Sequence, residues 1–177
     1  FAGPALTAFA YPADIAGMFG ALHEAQAGDV IVLANDGFTR TAVFGDLAAG
    51  LMKNKGVAAF VTDGLARDKA GIVATGLPTF CQGIQPASPA LNGPGVVGAP
   101  IVLGAVHVRS GDLIVGDADG VVVVPRERIE EVYGLLLQVR EAEARTEAMV
   151  KNGATMLANP MKTIAAATIV EDSPVHR

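Results

Sequence analysis

Tryptophan is absent, cysteine and tyrosine together occur three times, and aromatic residues make up only 5% of the 177 positions. A single thiol can neither close an intrachain disulfide nor build a multi-cysteine zinc site, which fits a reducing cytoplasm. Cys81 follows the apolar residues 77–80 and reads as a small buried hydrophobe, not as a nucleophile. No apolar run approaches the roughly 18 residues that a membrane-crossing helix needs, so the positive mean hydropathy of +0.41 implies no membrane partner. Thirteen basic residues face eighteen acidic ones, giving a net charge of -5 without a basic stripe, and this argues against a nucleic-acid partner. Also missing are a Walker A lysine loop, a GxGxxG turn after a strand, an HExxH helix and any Cys-His zinc spacing. His23, His107 and His176 fall on a helix, in a strand and in the tail, and read as ordinary surface or half-buried residues. Phe1 is not an initiator Met and residues 1–9 lack a basic leader and a cleavage pattern, so the chain reads as starting inside a longer one with no signal peptide.

What is present is a chain with 51% hydrophobic residues, rich in Ala, Val and Gly, and long enough to bury a core as one domain over residues 1–177. Ile15, Met18, Phe19 and Leu22 recur at helical spacing within residues 12–27, a predicted helix stopped by Gly28. A strand is expected over 30–34 and a helix over 47–55, with Asp46 at its N-cap and Lys53 and Lys55 near its end. Gly56 ends that helix and a buried strand follows over 57–62, an order that predicts an α/β fold with some parallel pairing. Residues 77–125 change to short β segments, at 79–81, 100–103, 105–108, 113–115 and 121–124. Gly28-Asp29-Val30 and Gly111-Asp112-Leu113 look alike and imply reused turn chemistry. Residues 126–152 form a predicted helical extension, with Glu141/Arg145 and Glu147/Lys151 at i,i+4 spacing. No linker precedes it, so the expectation is docking on the same domain or on a neighbouring subunit; residues 159–177 carry no readable pattern.

Chemistry is concentrated in Asp63-Gly64-Leu65-Ala66-Arg67-Asp68, directly after the apolar strand. Ligands of α/β sheets gather beyond the carboxyl ends of strands, where Arg67 can grip a carboxylate and Asp68 can hold a hard divalent cation. A solvated Arg-Asp turn fits the same residues. Gly45-Asp46-Leu47-Ala48 opens a helix whose first amides are free to bind an anion. Twenty residues separate Asp46 from Arg67, enough for one helix and one strand to return the chain to an adjacent strand end. A carboxylated substrate then fits between the Leu47 and Ala48 amides on one side and Arg67 on the other, although Asp46 taken alone also fits a plain helix cap.

Asp-x20-Arg-Asp, with residues 58–68 reading Ala-Ala-Phe-Val-Thr-Asp-Gly-Leu-Ala-Arg-Asp, resembles the RraA-like family, in its 4-hydroxy-4-methyl-2-oxoglutarate aldolase and oxaloacetate decarboxylase branch. Phe1-Ala-Gly-Pro-Ala-Leu-Thr, Gly28-Asp29-Val30, Asn92-Gly93-Pro94-Gly95 and the Gly116–Pro125 segment fall in the same order, so the resemblance spans residues 1–125. It implies a three-layer β/β/α swivelling-type fold, a homotrimer or hexamer with sites at subunit interfaces, and a small 2-oxo acid as substrate. It further implies that Asp68 binds Mg2+ or Mn2+, that Arg67 contacts pyruvate, that the Leu47 and Ala48 amides hold its carboxylate, and that Asp46 acts through a metal-held water. Glu143 is the candidate for a carboxylate supplied by a neighbouring subunit, with Glu141 and Glu147 as competitors. Leu91 departs from the lysine common in such aldolases, and members carry a helical segment ahead of the position of Phe1 that can supply site residues. Lys53, Lys55, Lys69, Lys151 and Lys162 lie outside the motif core, which argues against a lysine imine. The alternative function within the family is a non-enzymatic regulator that binds ribonuclease E. Regulator-type chains end soon after the Asp-Gly-Val-Val motif, whereas this chain continues through a Glu-rich helix, which favours the aldolase branch.

Overall fold

Residues 1–160 are described in a computed structural model of the chain. Phe1–Ile129 forms one compact unit and a second begins at Glu130. In chain order the first unit contains β1 (Ala2–Ala10), α1 (Ala16–Glu24), β2 (Val30–Ala34), β3 (Ala42–Phe44), α2 (Asp46–Asn54) and β4 (Ala59–Thr62). It continues with β5 (Leu65–Ala66), α3 (Lys69–Thr75), β6 (Thr79–Phe80), β7 (Gly83–Ile84), β8 (Gly95–Val97) and β9 (Ile101–Leu103). β10 (Val106–Val108), β11 (Leu113–Asp117), β12 (Gly120–Val124) and a short 3-10 turn at Arg126–Arg128 complete it. α4 (Ile129–Lys151) then carries the chain into the second unit.

The largest sheet has seven strands in the order β12-β11-β1-β2-β4-β6, with β8 also paired to β1. Its centre is parallel: β1 pairs with β2, β2 with β4, and β4 with β6. The apolar run of β2 is buried throughout because both of its faces are covered. Ile31 and Leu33 enter a core shared with α1, α2, β3 and β5, where Phe44 stacks on Phe60 at 4.1 Å between centroids. Val30, Val32 and Ala34 point the other way, into a second core with Ile101, Val108 and Ile114. A separate parallel sheet, β3-β5-β7, lies over the first core, and β9 and β10 form an antiparallel pair on the side of the second. This is the β/β/α architecture that the resemblance implies, an α/β fold with one core on each face of the large sheet.

The central strand was the least visible in the sequence. β1 reads AGPALTAFA, with few β-branched residues and no clean alternation, yet it pairs with β2, β8 and β11. One of its edges changes partner, from β11 at Ala2–Pro4 to β8 at Ala8–Ala10. Between these ladders the fully buried Thr7 donates its N–H to Ser110 Oγ at 3.1 Å and its hydroxyl to the Ala99 carbonyl at 2.8 Å. Ser110 thereby stands in for the missing strand partner.

Several element ends differ from expectation. α1 starts at Ala16, after Asp14 Oδ1 has accepted the Ala16 N–H at 2.7 Å, and ends at the cap residue Ala25, so Gly28 is not its terminator. Gly28, at φ 92°, belongs to the next turn, which Gly111 at φ 91° repeats. In both turns the following Asp accepts the amide three residues back: Asp29 from Gln26 at 2.8 Å, and Asp112 from Arg109 at 2.8 Å. The N-cap of α2 is Gly45, in extended conformation, and Asp46 is its first helical residue. Residues 63–68 are not one loop, because β5 interrupts them and joins the smaller sheet.

In the second unit, α4 places Glu141 Oε1 2.6 Å from Arg145 and Glu147 Oε2 3.3 Å from Lys151. Among the described residues no helix is long and apolar enough to cross a membrane. Lys162 and His176 lie outside the described residues.

The strand-switch account predicts that Ser110→Ala, which strands the buried Thr7 N–H, destabilises the chain by about 1–3 kcal/mol. Urea unfolding measures this; an unchanged midpoint would mean that the switch is satisfied by another group.

Candidate functional site

The short parallel pairing of β3 with β5 brings two distant segments together. Ala42 and Phe44 register with Leu65 and Ala66, and the Arg67 N–H donates to the Phe44 carbonyl at 2.9 Å. The chain leaves β3 directly into α2 and leaves β5 directly into Arg67 and α3. Consequently the first turn of α2 and the Arg67-Asp68 pair emerge side by side. Gly45, Asp46, Leu47, Ala48, Arg67 and Asp68 all line one cavity of about 140 Å³. Its remaining wall is apolar, with Ile15 at the N-cap of α1, Met18 from α1, Phe44 from β3, and Pro89.

Asp68 adopts a left-handed backbone, φ 56°, one of four non-glycine residues with positive φ among those described. Such a conformation is sterically unfavourable and marks a position whose surroundings hold it. Here it turns the chain from β5 into α3 and folds the carboxylate back: Asp68 Oδ2 accepts Arg67 Nε at 3.1 Å. A Cβ on Gly45 would lie 2.8 Å from Asp68 Oδ2 and 3.2 Å from Arg67 Cγ and Nε. The mirror relation holds across the gap, since a Cβ on Gly71 of α3 would lie 2.5 Å from Asp46 Oδ2 and 2.6 Å from Asp46 Cβ. Each carboxylate therefore rests on a glycine supplied by the other segment.

The first α2 hydrogen bond runs from Ala49 N–H to the Gly45 carbonyl at 3.0 Å, so the preceding amides belong to the helix's free N-terminal set. Of the two amides expected to hold a carboxylate, that of Leu47 donates to Asp46 Oδ1 at 2.7 Å. A bound anion would compete with Asp46 for this amide. Arg67 and Asp68 are only partly covered, so their ion pair contributes little stability by itself. Its value is orientation.

The residues that back Arg67 carry no local signal in the sequence. Arg67 Nη1 donates to Ser88 Oγ, and Asp14 Oδ2 holds the same loop further on by accepting the Asn92 and Gly93 N–H groups at 2.7 and 3.0 Å. The amides of Ala16, Asn92 and Gly93 keep the Asp14 carboxyl below its usual range. Asp63 goes the other way: burial pushes its pKa up, against the Asn35 and Gly37 amides, which donate to it at 2.6 and 3.1 Å. Asp63 thus ties the end of β4 to the loop after β2. Glu143 is exposed on α4, in the second unit, while its competitors Glu141 and Glu147 are paired with Arg145 and Lys151. Leu91 is exposed and is not among the cavity-lining residues.

A family model described as RraA-like, Aldolase/RraA, matches residues 1–123. The chain is 40% identical over 146 residues to a Halalkalibacterium halodurans protein named "Putative 4-hydroxy-4-methyl-2-oxoglutarate aldolase", a match covering 82% of this chain and 68% of that protein. Among solved structures, an uncharacterized protein from Pseudomonas syringae pv. tomato is similar at TM-score 0.77 and 28% identity, over 88% of this chain and 75% of that one. Streptomyces coelicolor RraAS2, described as an unusual member of the RNase ES inhibitor RraA protein family, is similar at TM-score 0.75 and 31% identity, over 83% and 77%.

The carboxylate-on-glycine packing separates two substitutions that helix propensity treats alike. Gly50→Ala in α2, where an added Cβ meets nothing within 4 Å, is expected to stabilise by about 0.5–1 kcal/mol. Gly71→Ala is expected to destabilise, because its Cβ must displace Asp46. Equal stabilisation of both variants in urea unfolding would contradict the packing.

Proposed function

We propose that this chain, which belongs to the RraA-like family, is a divalent-metal-dependent lyase that cleaves a carbon-carbon bond of a small 2-oxo acid to give pyruvate. The proposed substrate is 4-hydroxy-4-methyl-2-oxoglutarate or a close relative, with oxaloacetate decarboxylation as a second activity. The observation that carries this reading is the convergence of the α2 amides, Arg67 and Asp68 on one cavity.

The donor set suits a hard cation. Asp68 offers a partly exposed carboxylate, one oxygen of which accepts Arg67 Nε. Among the described residues no three His, Cys, Asp or Glu side chains cluster as a metal cage. A site with one protein carboxylate and several waters is the Mg2+ or Mn2+ pattern and is unlike a zinc cage. When bound, the cation supplies a positive charge that polarises the 2-oxo group.

The chain's own residues do the rest. Leu47 and Ala48 amides receive the substrate carboxylate at the positive end of α2, and Arg67 spans the carboxylate and the 2-oxo oxygen. As the bond between C3 and C4 breaks, its electron pair moves into the C2-C3 bond and charge builds on the 2-oxo oxygen, where Arg67 opposes it. In the aldol case the 4-hydroxyl proton leaves, and in the decarboxylation carbon dioxide leaves; either way C3 of the enolate then takes a proton to give pyruvate. Asp46, half-buried at the mouth of α2, is the proposed proton carrier. No lysine imine is needed. Lys53 and Lys55 donate to backbone carbonyls of Gly76, Leu22 and His23, and Lys69 lines a different cavity beside Cys81.

The same proposal includes a cytoplasmic homotrimer or hexamer in which Glu143 of a neighbouring copy supports the cation. A second reading, a non-enzymatic regulator that binds ribonuclease E, draws on the likeness to the RNase ES inhibitor family.

Pyruvate release from oxaloacetate and 4-hydroxy-4-methyl-2-oxoglutarate, with Mg2+ and with EDTA, tests the choice. Activity is expected with Mg2+ and should vanish with EDTA. Arg67→Lys should lose about tenfold to a hundredfold at any Mg2+ concentration, because a point charge cannot reproduce a planar fork. Asp68→Asn should be partly rescued by added Mg2+. Full activity in both variants would overturn the assignment, and no activity in the wild type together with ribonuclease E inhibition would support the regulator.

A further inference from the structure

Arg67 is held on three sides. Nε donates to Asp68 Oδ2 at 3.1 Å, its stem lies against Gly45 where a Cβ would come within 3.2 Å, and Nη1 donates to Ser88 Oγ. The first two holds come from its immediate neighbours and from the α2 cap. Of these three, only the last holds a terminal nitrogen and so opposes rotation about the Nε–Cζ bond, and it comes from a different part of the chain.

Ser88 is exposed, and an exposed serine on a free loop would be a poor anchor. This loop is stitched down on both sides of it. Upstream, the Gln85 N–H donates to the Ala66 carbonyl at 2.8 Å and the Ala87 carbonyl accepts the Ala42 N–H at 2.9 Å, which ties the loop to β5 and β3. Downstream, the Ala90 N–H donates to the Ala13 carbonyl at 2.7 Å and the Ile15 N–H to the Ala90 carbonyl at 3.0 Å. Asp14 then accepts from Asn92 and Gly93 and, with its other oxygen, from Ala16 at the start of α1. The serine is thus carried on a span fastened at one end to the strands that present Arg67 and at the other to the turn before α1.

We propose that Ser88 is a positioning residue for the reaction, acting through Arg67 Nη1. Asp14 anchors the loop that carries it. Held in this way, the guanidinium keeps its remaining N–H groups directed to substrate before substrate arrives, so the orientation is prepaid rather than purchased in the transition state. This inference rests on the reading of Arg67 as the residue that grips the 2-oxo acid.

The test uses the full chain and two readouts. Arg67 side-chain 15N NMR reports whether rotation about the guanidinium bonds is restricted, and oxaloacetate kinetics with Mg2+ report kcat and KM. In Ser88→Ala, Arg67 rotation is expected to be released and kcat to fall about tenfold, the scale of one lost hydrogen bond to a charged group, with KM changing less. Ser88→Thr keeps the hydroxyl and should restore both. The proposal is overturned if Arg67 is equally restricted in Ser88→Ala, whatever the rate does. It is equally overturned if rotation is released and kcat stays within twofold of wild type, or if the threonine variant restores neither readout. A wild type that forms no pyruvate removes the lyase reading and with it the catalytic role of Ser88, while an Arg67 signal that responds to Ser88→Ala would show that the hold itself exists.

Discussion

Two carboxylates resting on two glycines form the constraint on which the site depends. Asp68 lies over Gly45 and Asp46 lies over Gly71, so neither helix start can shift without moving the other's acidic residue. A methyl group at either glycine would fall inside van der Waals contact with a carboxylate. The arrangement is possible because β3 and β5 are parallel neighbours, each ending where a helix or its lead-in begins. Short strands here act as a jig: two paired residues on each side suffice, since the apolar core under Phe44 and Ala66 supplies the stability.

The arrangement also explains how acidic and basic groups coexist with little burial. Arg67 and Asp68 pair at 3.1 Å on a partly exposed surface, where the energetic gain is small, and the cavity beside them is walled by Ile15, Met18, Phe44 and Pro89. An apolar wall lowers the local dielectric and strengthens the charges that do face it. In the proposed lyase reaction, the charge that a 2-oxo acid develops on cleavage would be met by groups fixed in advance. The positive φ of Asp68 is where the backbone accommodates that fixation.

Much of this was legible in the sequence. The all-apolar Val30–Ala34, the helix after Gly45 and the Arg67-Asp68 turn each carry a local signal, either a run, a cap or a charge pair at a strand end. The Gly-Asp turns before Val30 and Leu113 were also readable, and they share one hydrogen-bond pattern. What escaped was non-local. β1 has weak strand propensity and becomes central only because β2, β8 and β11 all use it. β5 is two residues long and hides inside what reads as a loop. Ser88 and Asp14 matter through partners 21 and 78 residues away, a separation that no periodicity encodes. Asp14 falls inside the span 12–27 expected as helix, so its place ahead of α1 as acceptor of the Ala16 N–H was not readable either.

The proposed function requires that the α2 amides and Arg67 grip the same carboxylate beside a cation on Asp68. A crystal structure of the chain with Mg2+ and pyruvate measures it directly. The account predicts the pyruvate carboxylate about 2.7–3.2 Å from the Leu47 and Ala48 nitrogens and from Arg67, with the cation on Asp68 and on the 2-oxo oxygen. Pyruvate bound outside this cavity, or a cation held without Asp68, would contradict it.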